Sequence, residues 1–470
     1  MNLDSKTLNN ASILQAFVRL SWPIFLANLL QTAYQLVDTF WVGRLGANAM
    51  AAVSLSFPLL FLLSSFVGGL ASAGTILVAQ YFGKKDRAMV NHLAGQTIIF
   101  ITALSLIISV AGYLASYWLI IKIGASAEVA PLATAYLKIS FIGLSASFFY
   151  TIYQSIMRGI GQVKIPMYLI LASVILNSIL DPLFIYGVGP LPVMGVAGAA
   201  WATILTEFLA ALACLILIFQ PRLGLHLTKR NLWPDWRQIK KIFQLGWPSS
   251  LEQSSRSLSM LLLTGLAASF GTTVVAAYGL GLRILSLAII PAVSLSMANA
   301  TLVGHNIGAQ EYQRARKTSN LGLKLAFFSL SAFGLVLVAL APQIGHFFLP
   351  RDPEAVAMSS QFIRWISISL GLFGWQMIIM GSLRGAGKTT TTMILAIFNI
   401  VILVSTAYSL AYLVGWREKG LWLAFPITNL IMTIISSIWF WSTKWYYHNL
   451  TIQAEPIVES NVISLADHSL

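Results

Sequence analysis

The chain has 470 residues, of which 57% are hydrophobic and only 9% are charged, and its mean hydropathy is +0.78. A soluble protein of this length needs far more polar surface to cover its core, so the composition excludes a soluble globular domain. The formal net charge of +14 would suit a nucleic-acid-binding protein, but the positions of the basic residues, given below, argue against that class.

Twelve apolar runs follow one another along the chain, and each is longer than the roughly 20 residues that a helix needs to cross about 30 Å of hydrocarbon. The sequence therefore predicts an all-α polytopic membrane protein with twelve transmembrane helices. The runs lie near residues 15–40, 51–80, 92–120, 133–157, 165–188, 195–219, 242–269, 274–303, 320–348, 358–383, 390–414 and 420–445.

Domain boundaries follow from the polar stretches after the sixth and the twelfth runs. The prediction is an amino-terminal lobe at 1–219 with helices one to six, and a cytoplasmic linker at 220–241. A carboxyl-terminal lobe with helices seven to twelve follows at 242–445, and a flexible cytoplasmic tail at 446–470.

The basic residues are distributed asymmetrically between the two sides of the predicted membrane. Most of the 29 Lys and Arg residues lie at the amino terminus, at the carboxyl end or in the even-numbered loops. Because Lys and Arg concentrate in cytoplasmic loops, both termini and the even loops are predicted to be cytoplasmic, in a plasma (inner) membrane. The basic excess is thus a topology signal, and no nucleic-acid partner is expected.

The two halves of the chain repeat each other at an offset of about 225 residues. The Trp-Pro pair at 22–23 recurs at 247–248, and the Arg-Gly-x-Gly motif at 158–161 recurs at 384–387. A repeat of this length indicates a duplicated bundle rather than a solenoid. Because each copy has six spans, both share one orientation and form two six-helix lobes related by a pseudo-two-fold axis along the membrane normal, as in secondary transporters.

Ionisable side chains inside predicted spans are the main functional candidates, because a charge at a helix centre costs at least about 2.5–3.5 kcal/mol. In the first half they accompany other polar residues at helical spacing, which puts each set on one helix face. The sets are Gln31, Tyr34 and Asp38 in the first span, Asn177 and Asp181 in the fifth, and Thr203 and Glu207 in the sixth. Pro23 is the best hinge candidate, because its helix also carries an acid.

Two carboxylates in one low-dielectric site cannot both stay ionised unless a cation binds between them or one of them takes up a proton. That requirement suits a carrier coupled to H⁺ or Na⁺, and Asp38, Asn177, Asp181 and Thr203 would supply oxygen ligands for Na⁺. The alternative is that each acid is merely hydrogen-bonded between helices. No metal-binding spacing occurs, so no cofactor beyond the coupling ion is expected.

The other intramembrane charges have several interpretations. Glu252 and Arg256 are four residues apart on the seventh helix and can neutralise each other. Arg283 and Arg364 can line a cavity or anchor an acid elsewhere, and the sequence leaves their roles open. Lys138 lies near the outer end of its span, where its side chain can snorkel to the surface.

One segment imitates an enzyme motif. Residues 385–389 resemble a phosphate-binding loop, but the first glycine of the full pattern is replaced by Ser382 and no strand precedes the segment. An ATP site is therefore not expected, and neither is an enzyme. The single cysteine, Cys214, lies in an apolar run and is expected to pack as a small hydrophobic residue.

Taken together, these residues resemble the MATE family of multidrug exporters. The resemblance covers roughly residues 15–445 and implies a V-shaped pair of six-helix lobes. It also implies export of cationic, amphipathic compounds by alternating access, driven by H⁺ or Na⁺. The segments that carry it are Val37-Asp38-Thr39, Trp41-Val42-Gly43, 157–162, Asn177 to Asp181-Pro182, Gly195 to Thr203, 302–304, Gly308 and 382–387.

Within that family the resemblance favours the DinF-like branch, whose amino-terminal lobe holds an acid-centred polar cluster. The NorM-like branch also uses acids in its seventh and tenth helices. Here Glu252 lies about one turn too near its helix start, and the tenth span has no acid. The cluster carries over to Gln31, Tyr34, Asp38, Asn177, Asp181 and Thr203.

The predicted function is therefore a monomeric antiporter in membrane lipid that exports small organic cations, with Asp38 as the central coupling acid and Asp181 as its partner. The runner-up is a flippase for lipid-linked precursors, a related two-lobed protein in which Arg256, Arg283 and Arg364 would converge in the central cleft. A non-transporting membrane scaffold or receptor is disfavoured by the buried acids and the repeat.

Overall fold

The computed structural model describes residues 12–187, 189, 192–220, 225–348 and 352–451, which are almost entirely helical and contain no strand. Short 3₁₀ turns at Lys229–Leu232 and Trp445–Tyr447 and a π turn at Ser409–Leu413 accompany the α-helices. The α-helices are α1 (Ile13–Gly43), α2 (Ala47–Gly83), α3 (Arg87–Ile123), α4 (Val129–Gly159), α5 (Lys164–Tyr186), α6 (Val196–Ile218), α7 (Trp236–Ala268), α8 (Thr272–Gly308), α9 (Tyr312–Phe348), α10 (Pro353–Ile368), α11 (Leu370–Gly385), α12 (Thr389–Tyr408) and α13 (Arg417–Ser442).

The helices of the described ranges fit the predicted number of membrane spans. Ten are long and apolar enough to cross a membrane, and α10 with α11 meets the same criterion when the bent pair is counted as one span. Helix α7 is also long enough, with 33 residues, but its serines together with Glu252 and Arg256 lower its hydropathy. With α7 counted, the spans form one lobe of α1 to α6 and a second lobe of α7 to α13.

The tenth span, predicted as one run over 358–383, consists of two helices that meet at Ser369. They diverge by 48°, and Ser369 has a ψ of 1°, which is outside the helical range. The Ser369 hydroxyl accepts a hydrogen bond from Asn429 Nδ2 of α13 at 2.9 Å. A side chain of a neighbouring helix thus stabilises the break, and no proline marks it in the sequence.

The duplication extends to the backbone conformation of equivalent turns. Gly46 and Gly271, 225 positions apart, precede α2 and α8 with φ angles of 105° and 109°. Glycine adopts such positive φ angles without steric cost. Both lobes therefore use the same reversal between their first and second helices.

The second helices of the two lobes cross at glycines. We call the side that carries the turns at 84–86 and 309–311 the even-loop face, and the opposite side the odd-loop face. A Cβ atom on Gly83 would overlap the carbonyl of His305, and one on Gly308 would overlap the carbonyl of Gln80. Near the even-loop face the two backbones meet only because neither glycine has a side chain.

Two hydrogen bonds between the lobes repeat the same symmetry. Gln80 Nε2 donates to the carbonyl of Gly385 at 3.0 Å, and His305 Nε2 lies 2.7 Å from the carbonyl of Gly159. Gln80 and His305 are repeat-related, as are Gly159 and Gly385. The pseudo-two-fold axis therefore passes between α2 and α8.

The cleft between the lobes opens towards the odd-loop face. In the described ranges, every hydrogen bond between helices of the two lobes lies between the middle of the bundle and the even-loop face. The bond from Asn28 Nδ2 to Ser294 Oγ, at 3.0 Å, is one of those nearest the middle. Further towards the odd-loop face, Phe57 and Phe61 of α2 are exposed.

The linker between the lobes is shorter than the predicted 220–241. Helix α7 begins at Trp236, inside the predicted linker, after Asp235 as its N-cap. The preceding stretch is fastened to α3 by Gln96, whose side-chain nitrogen donates to the carbonyls of Asn231 and Trp233 at 2.9 and 2.7 Å. The linker thus packs on the amino-terminal lobe before it enters the second lobe.

The first part of the predicted flexible tail, residues 446–451, is instead packed against both lobes. Asn449 Nδ2 donates to the carbonyl of Ile307 at 2.9 Å, and the Leu450 amide donates to Gln80 Oε1 at 2.9 Å. For these residues the prediction of flexibility is wrong, because the segment supplies polar groups that pair with both α8 and α2. The rest of the predicted tail lies outside the described residues.

Candidate functional site

Helix α5 contributes a carboxylate that is enclosed by the protein. Asn177 and Asp181 lie one turn apart, as their spacing predicts, and both are 0% exposed. Asn177 Nδ2 donates to Asp181 Oδ1 at 2.9 Å. Pro182 follows and has no backbone N–H, so the carbonyl of Ser178 lacks its usual helical donor beside the acid.

Helix α1 is joined to α6 by a tyrosine. The hydroxyl of Tyr34, which is buried, lies 2.7 Å from Thr206 Oγ1. Thr206 in turn donates to the carbonyl of Thr203 at 2.7 Å. The sequence prediction did not include Thr206, although its place between Thr203 and Glu207 was an available signal.

Asp38 extends the polar surface of α1 one turn beyond Tyr34 and is half-buried. Its carboxylate interacts electrostatically with that of Asp181, since α1 packs on α5. Tyr136 of α4 is near enough to interact electrostatically with Asp38, Asp181 and Glu207. Acids from three different helices therefore surround one region of the amino-terminal lobe.

Four oxygens in this region are buried and have no hydrogen-bond partner in the described protein. They are Asp38 Oδ1, Asn177 Oδ1, Asp181 Oδ2 and Thr203 Oγ1, and we call these four residues the acid cluster. An unpaired buried acceptor costs about 1–3 kcal/mol, so the cluster calls for a donor or a cation. Oxygen ligands suit hard cations or protons. The described residues contain no group of three or more His, Cys, Asp or Glu that could hold a metal ion.

Glu207 lies beside the acid cluster and has a protein partner. Its Oε1 accepts a hydrogen bond from Ser147 Oγ of α4 at 2.9 Å. It also interacts electrostatically with Tyr34. Ser147 was not predicted from the sequence, because nothing in the spacing of α4 relates it to a residue sixty positions later.

Two predicted residues of α1 take no part in these contacts. Gln31 is exposed and makes no hydrogen bond within the described residues. Pro23 is buried, and α1 continues through it without a break from Ile13 to Gly43. A hinge role for Pro23 stays a prediction.

The carboxyl-terminal lobe contains a charged group of different composition. Glu252 is 1% exposed, and its nearest ion-pair partner is Arg384, with 3.9 Å between Oε1 and Nη1. The predicted neutralisation of Glu252 by Arg256 does not take the form of an ion pair. Arg256 Nη2 lies 3.3 Å from the sulfur of Met377 on α11 instead.

The remaining candidates from the sequence have simpler surroundings. Arg283 and Arg364 are exposed and form no ion pair within the described ranges. Lys138 Nζ lies 5.3 Å from the ring centroid of Tyr113. The phosphate-loop-like segment at 385–389 is the turn that joins α11 to α12, and no strand precedes it.

Comparison with known families agrees with this architecture. The family model MatE matches residues 23–183 and again residues 248–409, so the two matched stretches begin 225 positions apart. That distance is the offset of the internal repeat. Together the two matches cover most of the chain.

Relatives and solved structures give the same result. The chain is 29% identical over 418 residues to the "Probable multidrug resistance protein YoeA" of Bacillus subtilis, across 88% of this chain and 90% of that protein. It is 26% identical over 435 residues to an "FAD transporter" of Shewanella oneidensis, across 92% and 95%.

A solved structure of a multidrug resistance MATE family transporter in an outward-facing conformation superposes with a TM-score of 0.87. The two share 27% identity over 94% of this chain and 98% of that chain. The predicted fold class, twelve transmembrane helices in two six-helix lobes, is thereby confirmed. The chain belongs to the MATE family of multi-pass membrane transporters, which are not enzymes.

Proposed function

We propose that this transporter is an antiporter that exports small organic cations and amphipathic compounds by alternating access, driven by H⁺ or Na⁺ bound at the acid cluster. The observation that carries the proposal is the set of four buried, unpartnered oxygens on α1, α5 and α6. Relatives named as multidrug resistance proteins support export of small molecules.

The proposed orientation places the even-loop face in the cytoplasm and the protein in the plasma membrane, because the even loops carry most of the basic residues. In that orientation the cleft is open to the outside and closed to the cytoplasm. The proposed unit is a monomer, since the cleft and the acid cluster are both formed within one chain.

The proposed cycle rests on competition for negative charge. When the carboxylates of Asp38 and Asp181 take up H⁺ or Na⁺ from the outside, a cationic substrate loses its electrostatic attraction to the cleft and leaves. Opening towards the cytoplasm then requires the paired contacts of Gln80 and His305 to separate. Bending of α1 near Pro23 is the proposed link between the charge of the cluster and this rearrangement.

The flippase alternative has less support. A diphosphate headgroup requires a cleft that is basic throughout, with Arg256, Arg283 and Arg364 converging. No hydrogen bond or ion pair among the described residues joins these three arginines, and the amino-terminal lobe presents Asp38 and Asp181. A diphosphate would be repelled by that lobe.

Efflux from proteoliposomes tests the proposal. A fluorescent organic cation such as ethidium is loaded, and H⁺ and Na⁺ gradients are imposed separately on wild type and on Asp38→Asn. Wild type should export the dye under at least one gradient. Asp38→Asn should abolish gradient-driven export, because it removes the charge for which cation and substrate compete.

Glu354→Gln is the matched control, because it removes an exposed acid at the start of α10. It should export as wild type does, and both variants should elute as folded protein in size-exclusion chromatography. Normal gradient-driven export by Asp38→Asn would overturn the assignment of the acid cluster. Absence of export by wild type under both gradients would overturn the antiporter.

A further inference from the structure

Two repeat-related arginines lie close together near the pseudo-two-fold axis. Arg158 is near the end of α4 and Arg384 near the end of α11, 226 positions later. Both reach neighbouring residues of α8: Arg158 Nη1 lies 3.6 Å from Met297 Sδ, and Arg384 Nη2 donates to Ser296 Oγ at 2.9 Å. The duplication thus places two guanidinium groups, one from each lobe, at the same level of the bundle.

A third guanidinium joins them from α7. Arg256 contacts Met377, and the carbonyl of Met377 accepts a hydrogen bond from Ser296, the residue that also binds Arg384. Arg256 is exposed, although the neighbouring Glu252 and Met377 are buried. Arg256 is therefore the member of this group that a ligand can reach from outside the protein. We call Arg158, Arg256 and Arg384 the arginine cluster.

The arginine cluster is incompletely neutralised. Glu252 is the one acid that faces it among the described residues, so three positive charges meet one negative charge. Both oxygens of Glu252 lack a hydrogen-bond partner, and its approach to Arg384 is 3.9 Å. A close charge-assisted hydrogen bond measures about 2.7–2.9 Å, so the pairing is loose.

Few of the N–H donors of the arginine cluster have a strong hydrogen-bond acceptor. A guanidinium carries five N–H donors, and a thioether sulfur is a weak acceptor. Arg256 has only the sulfur of Met377 as a hydrogen-bond partner in the described protein, and Arg158 has the sulfur of Met297 beside Ser155 Oγ. Guanidinium groups with weak acceptors and a net positive surrounding favour an anionic oxygen ligand.

We propose that the arginine cluster binds an anionic group of the substrate, such as a carboxylate, and that Arg256 determines this specificity. The preferred substrates would then be amphoteric, with a cationic part near the acid cluster of one lobe and an anionic part at the arginine cluster. This inference rests on the proposed function in one respect: the proposed function places the cationic part of the substrate near the acid cluster. The two clusters belong mainly to different lobes, so one such molecule would bridge the cleft.

Equilibrium binding to purified protein tests this inference without any ion gradient. Fluorescence polarisation is measured with rhodamine B, which carries a free carboxylate, and with its ethyl ester, which keeps the cationic ring system but lacks the negative charge. Arg256→Gln should weaken binding of rhodamine B by roughly 10-fold, since a charged hydrogen bond is lost. Binding of the ester should change by less than about twofold.

Two further variants separate charge from folding. Arg256→Lys keeps the positive charge and should retain most of the preference for the carboxylate dye. Lys138→Gln removes a cation of α4 outside the cluster and should leave both dyes unaffected. The proposal is overturned if Arg256→Gln weakens both dyes equally, or neither, while eluting as folded protein. Binding with this pattern but without export would sustain the arginine cluster and reject the antiporter.

Discussion

The two lobes close on each other with equivalent residues but enclose different chemistry. At the even-loop face, Gln80 and His305 make corresponding hydrogen bonds from the second helix of each lobe. At the acid cluster the equivalence ends. At the offset of 225, Asp38 and Glu207 correspond to Leu263 and Met432, which are both 2% exposed. Counted from the matching residues Asn177 and Asn399, Asp181 corresponds to Leu403, which is 7% exposed.

The fold itself does not need acids at these positions. Three apolar side chains fill the carboxyl-terminal lobe at the positions where the amino-terminal lobe has acids, so the scaffold forms without a charge there. Buried acceptors without partners lower the stability of the amino-terminal lobe. Packing does not explain why the amino-terminal lobe carries acceptors that lower its stability. Ion binding by the acids would explain it.

The largest effect is expected from making the first lobe resemble the second. Asp181→Leu reproduces the pair of Asn399 and Leu403 in place of Asn177 and Asp181. Gradient-driven export should be abolished, because one of the two proposed coupling carboxylates is gone. The protein should stay folded, since leucine occupies the equivalent place in the other lobe.

Proteoliposome efflux and thermal unfolding of the same preparation check this prediction. Leu403→Met, a substitution of similar volume in the other lobe, is the control and should cost less than about 1.5 kcal/mol without affecting export. Export at the wild-type rate by Asp181→Leu would show that the two lobes do not differ in function as their residues suggest.

The reciprocal exchange should have a large effect on stability. Leu403→Asp places a carboxylate in a buried, apolar part of α12, where the one amide at the spacing of Asn177 and Asp181 is Asn399. The expected loss is about 3 kcal/mol, the cost of an acid at the centre of a membrane helix. Thermal unfolding in detergent measures it. A variant as stable as wild type would mean that the second lobe also tolerates a buried acid.

The two lobes meet at equivalent glycines near the even-loop face, so substitutions of these glycines should have equal effects. Gly83→Ala and Gly308→Ala each place a methyl group against a backbone carbonyl of the opposite helix, so each should disfavour the closed even-loop face by about 1–3 kcal/mol. Distances between spin labels at the exposed positions Ala88 and Gln313 should lengthen in both variants.

These labels require a background without Cys214, which is buried and is replaced by alanine. Both glycine variants carry this background, and their label distances are compared with those of the labelled background protein that keeps both glycines. Lengthening in only one of them would contradict the pseudo-symmetry of the closure. Unchanged distances in both would mean that the two helices shift apart elsewhere.

The sequence was sufficient for the features that depend on local composition. Apolar runs predicted the twelve spans, and intramembrane charges pointed to Asp38 and Asp181, because hydrophobicity and the cost of a buried charge act residue by residue. The repeat predicted the two lobes, since it was visible as paired motifs. Thr206 lay within reach of the same reasoning but was not selected.

Features that depend on how helices are rotated against each other could not be predicted. Ser147 meets Glu207 only after α4 packs on α6, and the break at Ser369 depends on Asn429 of α13. The Arg-Gly-x-Gly motifs of Arg158 and Arg384 indicated only the repeat, because the approach of these arginines across the lobes requires the closed assembly. The packed residues 446–451 likewise find their partners only on the finished even-loop face.

The smallest effect distinguishes two threonines at the same repeat position. Thr203 and Thr428 each have a buried hydroxyl oxygen without a hydrogen-bond partner in the described protein, but only Thr203 has acids nearby. Thr203→Val should raise the half-saturating concentration of the coupling ion several-fold, since an oxygen ligand is worth about 1 kcal/mol. Thr428→Val should leave it unchanged and raise the free energy of unfolding slightly, because an unpaired buried hydroxyl is removed. Export rates at varied ion concentration give both values. Equal effects of the two variants would mean that the hydroxyl acts through the packing of α6 and α13 and that the acid cluster is completed by its carboxylates alone.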